Sequence, residues 1–143
     1  MVISEGMLRN LVMIGGLGQL ALILGSVAIP RVMRWKEELS ALPSPLFRQM
    51  FWVYSIYIWA TNLCFGLLST LAPAWLLQKT PFAAAVSGFI ALYWISRFFI
   101  QIFYFDRSVV KTSFLFQWAE WALMGLFLFL AFTYSAATYF NLN

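Results

Sequence analysis

Residues 81–105 read PFAAAVSGFIALYWISRFFIQIFYF, a run of twenty-five positions with one charge, Arg97, and an amide, Gln101, one helical turn later. A helix needs about 20 mostly apolar residues to cross the hydrocarbon of a bilayer. The run is long enough, opens on a proline and carries no turn signal inside, so it predicts a spanning helix. Three further runs of this kind surround it, at about 8–29, 47–71 and 113–139. Pro30, Pro43, Pro45, Pro73 and Pro81 fall at or between their ends, where a missing N–H does least damage.

Composition agrees with this reading. Hydrophobic residues make up 63% of the 143 positions and charged residues 10%. A soluble chain this short cannot hide so much apolar surface. The predicted fold is all-α: one domain, 1–143, an integral four-helix bundle in the cell membrane. The first run resembles a signal peptide in the SVA at 26–28. It is too long for one, however, and its basic flank, RVMRWK at 31–36, follows it instead of preceding it.

Basic residues give the orientation. Arg31, Arg34, Lys36 and Arg48 lie in or beside the first loop, and Arg107 and Lys111 lie in the third. The opposite side has Arg9 and Lys79. Loops rich in Lys and Arg face the cytoplasm, so both termini are expected on the non-cytoplasmic side. Within the first loop Val32, Trp35, Leu39 and Leu42 recur at helical spacing among charges. That pattern predicts a short amphipathic helix on the interface, or a continuation of the first helix past Pro30. Trp35, Trp52, Trp75 and Trp118 stand near helix ends, as an interfacial aromatic belt would.

The net charge of +4 in a soluble protein would suggest nucleic acid. Here the cations flank apolar runs, so membrane lipids are the expected counterpart and no nucleic acid is expected. Histidine is absent and Cys64 is the single cysteine. That argues against a histidine or paired-thiol metal site, and no metal or cofactor is expected. Cys64, inside an apolar run, is expected to be a small buried hydrophobe.

Each long run holds strongly polar side chains: Gln19 in the first, Asn62 in the second, Arg97 and Gln101 in the third, Gln117 and Glu120 in the fourth. Such groups in a span face other helices or a wet cavity. The third and fourth runs are antiparallel about a loop centred near residue 109. Equal distances from that centre predict an Arg97–Glu120 ion pair and a Gln101–Gln117 contact. Helical spacing aligns Tyr93, Arg97, Gln101 and Tyr104 on one face, and Ser55, Trp59, Asn62, Gly66 and Ser69 on another. Trp94, one turn before Arg97, is a candidate cation–π partner. Gly18, Ala21, Gly25 and Ala28 form a small-residue stripe beside Gln19, which close helix packing in lipid would use.

Four short spans, a basic first loop, and Arg97 followed by YFDRS at 104–108 resemble the MAPEG family of small membrane transferases. The stretch RQMFWVYSIYIWATN at 48–62 lacks that family's glutamates, so no residue roles carry over. Small multidrug transporters also have four short spans, but their essential first-helix glutamate has only Gln19 as a counterpart here. From the residues, the expected function is that of an accessory or structural subunit of a membrane complex, or a homo-oligomer. Its partner would be another membrane protein or a second copy. An alternative is an enzyme or binder for an amphipathic lipid, isoprenoid or quinone entering from the cytoplasmic leaflet. A third is a small transporter using Glu120. No catalytic residue is assigned; the binding candidates are Arg97, Glu120, Gln101, Gln117, Asn62, Gln19, Tyr93 and Tyr104.

Overall fold

The computed structural model describes residues 4–32, 34–104 and 114–143. Among them are five α-helices: α1 Glu5–Val32, α2 Trp35–Ser40, α3 Pro45–Leu71, α4 Pro81–Phe103 and α5 Phe114–Leu142. A 3-10 helix, Pro73–Leu77, stands between α3 and α4. α1, α3, α4 and α5 are long and apolar enough to cross a membrane. The helix starts follow local chemistry. Pro45 and Pro81 occupy first-turn positions, where the absent N–H costs nothing, and the Thr80 side chain accepts from Ala83 N at 3.1 Å.

The first loop combines both expected forms. α1 runs two residues past Pro30, and a separate short helix, α2, follows after Arg34, whose φ of 54° is left-handed. On α2, Leu39 is buried and Trp35 half-buried, while Leu42, beyond its end, is exposed. Trp35 packs edge-on to Phe51 at 5.0 Å and against Trp52 at 6.4 Å, which folds α2 back along the start of α3. Charges Asp106, Arg107 and Lys111, and the expected start of the fourth span at 113, lie outside the described residues.

The long helices form two antiparallel pairs, α1 with α3 and α4 with α5, which meet chiefly along α1 and α5. α3 and α4 are bridged by side chains: Phe65 lies 6.0 Å from Phe89 and 5.4 Å from Tyr93. The 3-10 helix touches all four long helices and buries Pro73, Leu76 and Leu77. The core gathers at this end and at mid-length, around Val12, Leu76, Ile90, Trp94, Phe127, Leu130 and Tyr134. Toward the α2 end it thins. Among the described residues, Leu39 is the one buried apolar side chain between 20 and 61, and none is buried between 97 and 126.

α1 and α3 cross at Gly16 and Gly66. A Cβ on Gly16 would stand 2.5 Å from Thr70 Oγ1 and 2.9 Å from the Thr70 backbone nitrogen. The expected small-residue stripe is not the crossing. Gly25 has nothing within 4 Å, and Ala21 and Ala28 are exposed. Gly18 turns instead toward Leu126 of α5. On α3 the buried residues are Asn62, Gly66 and Ser69, the face that helical spacing marked out.

Candidate functional site

Four helices each contribute one polar group to the centre. Gln19 of α1 is fully buried. Its Nε2 donates to Gly15 O at 3.3 Å and to the Tyr134 hydroxyl of α5 at 2.5 Å, and its Oε1 accepts from Trp94 Nε1 of α4 at 3.2 Å. The Tyr134 hydroxyl shares a second hydrogen bond with Ser69 Oγ of α3. Donor chemistry allows one orientation of the amide. An indole nitrogen only donates and a backbone carbonyl only accepts, so a flipped Gln19 would lose both bonds. The cluster contains no charge, and hydrogen bonds link its members in the series Trp94–Gln19–Tyr134–Ser69.

A second polar group secures the 3-10 end. Asn141 Nδ2 donates to Leu76 O at 2.6 Å and to Ser87 Oγ at 3.3 Å, while its Oδ1 accepts from Lys79 N at 3.1 Å. Lys79 has a φ of 53°, left-handed for a residue with a Cβ, and its ammonium lies 4.7 Å over the Phe140 ring. Thr138 Oγ1 donates to Ser87 Oγ at 3.1 Å. Sequence reading did not single out Tyr134, Thr138 and Asn141. Their i, i+4, i+7 spacing was the available signal, hidden among the aromatic and hydroxyl residues of the fourth run.

The third group surrounds Arg97. Ser87 against Thr138, Trp94 stacked on Phe127 at 5.4 Å, and Arg97 over the same ring set the register of α4 and α5. In that register Arg97 is level with Phe127. α5 begins two turns beyond the point where α4 stops, and Glu120 stands near the end of α4, about 10 Å from the level of Arg97. The expected Arg97–Glu120 ion pair is therefore absent among the described residues, whose ion pair is the exposed Arg34–Glu37 contact at 3.6 Å. Helix overhang is the reason: equal distance from a loop gives equal depth only when both helices end at one level.

The guanidinium of Arg97 lies 5.8 Å from the centroid of Phe127. Trp94, the expected partner, is fully buried and bonded to Gln19. Tyr93 lies beside Asn62 and near Arg97. Asn62 is 6% exposed, and its Oδ1 has no hydrogen-bond partner among the described residues. Gln101 is half-buried, Tyr104 and Gln117 are exposed, and Glu120 is partly buried. No Gln101–Gln117 hydrogen bond is found among the described residues, since Gln117 lies past the end of α4 in this register. Cys64 is exposed, not buried, because it sits on the outward side of α3. The binding candidates thus divide. Gln19 belongs to the central cluster. Tyr93, Asn62 and Arg97 form one group between α3 and α4. Gln101, Tyr104, Gln117 and Glu120 lie toward the α2 end.

The grooves on the surface are open. One of about 560 Å³ runs between α4 and α5 along Ala84, Ala85, Gly88, Leu92 and Ser135. Among the described residues no group of three His, Cys, Asp or Glu could hold a metal. Comparison with known proteins returns no match: no family model fits the chain, and no curated protein or solved structure is detectably similar.

Proposed function

We propose that the protein is a multi-pass protein of the cell membrane that works by association, as an accessory or structural subunit of a membrane complex or as a homo-oligomer. The observation that carries this reading is the central cluster. One uncharged polar group per long helix, linked in the series Trp94–Gln19–Tyr134–Ser69, is a device for holding helices in register. An enzyme acting on an isoprenoid or quinone needs an acid or base beside its substrate. The centre supplies an amide, an indole and two hydroxyls, and Glu120 lies far along α5 from it. In this reading both termini are non-cytoplasmic and α2 rests on the cytoplasmic interface beside Arg31, Arg34 and Lys36.

The test is native extraction. The tagged chain, solubilised in a mild detergent, should migrate on blue-native gels with one stoichiometric membrane polypeptide or as a fixed multiple of 16.4 kDa. Migration as a single detergent-bound chain at every protein concentration would overturn the reading.

A further inference from the structure

A half-buried guanidinium in a span carries five N–H donors and a full charge. Arg97 meets a ring face, and no ion pair to it occurs among the described residues. A ring face answers part of the charge and none of the donors. One turn away, Asn62 holds a buried acceptor, Oδ1, with no hydrogen-bond partner among the described residues. Tyr93 lies beside Asn62 and near Arg97. A buried amide oxygen without a donor destabilises the fold unless a ligand supplies one. Among the described residues the group thus holds a cation with no ion pair and an acceptor with no donor.

Helix register gives their depth. Gly16 against Thr70 and Gly66 against Leu20 put Arg31 level with Ser55. Phe89 and Tyr93, both against Phe65, put Arg97 between the levels of Tyr57 and Thr61, about that of Trp59. Arg97 is thus about one turn deeper than Arg31. Arg9 and Arg31 are about 33 Å apart along α1, close to the hydrocarbon thickness of about 30 Å. Arg97 therefore stands about one turn inside the edge of the hydrocarbon, so a lipid phosphate that meets it dips below the headgroup level, and Asn62 stands about 5 Å farther in. The side chain of Arg97 crosses to Phe127 at its own level instead of running along α4 to the surface.

We propose that Arg97, Tyr93 and Asn62 bind an amphipathic phosphate ester that carries a free hydroxyl on the acyl side of its phosphate, the chemistry of a lysophospholipid. The phosphate sits on Arg97 through charge-assisted hydrogen bonds. The hydroxyl, a few bonds deeper, donates to Asn62 Oδ1. An ammonium could also donate there, but it would stand beside the guanidinium and be repelled. A diacyl lipid has an ester where the hydroxyl is needed and offers Asn62 only acceptors. The acyl chain leaves along the exposed apolar faces of α3 and α4. This site requires only that the chain lie in a bilayer; it does not depend on what the protein associates with.

The full-length protein in phosphatidylcholine nanodiscs is titrated with lysophosphatidic acid, phosphatidic acid or inorganic phosphate, and bound lipid is counted by native mass spectrometry. Lysophosphatidic acid should be retained roughly three- to tenfold better than phosphatidic acid, the size of one hydrogen bond to a buried acceptor. Arg97→Gln should weaken both roughly tenfold or more. Asn62→Leu should leave phosphatidic acid retention unchanged and abolish the preference. Equal retention of the two lipids by the parent, or a preference that survives Asn62→Leu, would overturn the proposal. Displacement of the lipid by inorganic phosphate at equal concentration would assign the site to a soluble phosphate and overturn the lipid. Should Arg97→Gln fail to fold, the Asn62→Leu arm decides, because it deletes the unpartnered acceptor while keeping the volume of the side chain and leaving Arg97 in place.

Discussion

Gln19 occupies the middle of α1 and is tied to α4 and α5 by hydrogen bonds. In a membrane the apolar side chains gain little by leaving lipid for one another, so such bonds and close packing set the arrangement. Tyr134→Phe keeps the ring and removes the hydroxyl, leaving Ser69 and one Gln19 proton without their partner. Stability in mild detergent, read by thermal unfolding, should fall by about 1–3 kcal/mol. Tyr139→Phe, on an exposed side chain, should change nothing. Equal midpoints for the two variants would show that the cluster holds nothing together. Arg97 and Glu120 give a second prediction at this scale. Residues at levels about 10 Å apart that make no ion pair with each other add their effects to within about 0.5 kcal/mol. The double-mutant cycle of Arg97→Ala and Glu120→Ala should therefore show no coupling. A coupling of several kcal/mol would restore the ion pair.

Among the elements, the α1–α3 crossing makes a graded prediction. Gly16→Ala drives a Cβ into the Thr70 backbone and should cost about 1–3 kcal/mol as overpacking. Gly18→Ala meets only the Cδ1 methyl of Leu126, at 2.9 Å, a flexible end that can turn aside, so its cost should be smaller. Gly25→Ala and Gly125→Ala meet nothing within 4 Å and should be neutral or slightly stabilising through helix propensity. Unfolding midpoints of the four variants in one detergent check the order. At the other end Asn141→Ala would free the carbonyl of Leu76 and the amide of Lys79, both beside a left-handed residue. Hydrogen exchange at 76–80 should rise in that variant while exchange at mid-helix stays low. Unchanged protection there would mean the 3-10 end is held by its apolar side chains alone.

For the whole molecule, the uneven core is the main feature: closed at the 3-10 end, thin toward α2. Orientation decides which face of the membrane each end meets. On a Cys64→Ser background, Asn143→Cys should react with an impermeant maleimide in intact cells and Lys36→Cys should not. The reverse pattern would invert the topology. It would also move the Arg97 group to the opposite leaflet while leaving its chemistry intact.

Four apolar runs, five prolines at their ends and a basic first loop were enough to give an all-helical chain with four long candidate spans. Periodicity also marked the buried face of α3, since Asn62, Gly66 and Ser69 share one side of a helix wherever it packs. These are local properties, written in the spacing of residues along a single helix. What Gln19 bonds to, which glycine forms the crossing, and how far α5 overhangs α4 are relations between helices. They depend on which side chains fit against which. Trp94 and Phe127 stack, and Gly16 admits Thr70, and those fits slide the helices to a register that loop symmetry does not predict. The partner of Arg97 changed with that slide, from a carboxylate on the next helix to an aromatic ring, because depth in a bundle is decided by packing and not by distance along the chain.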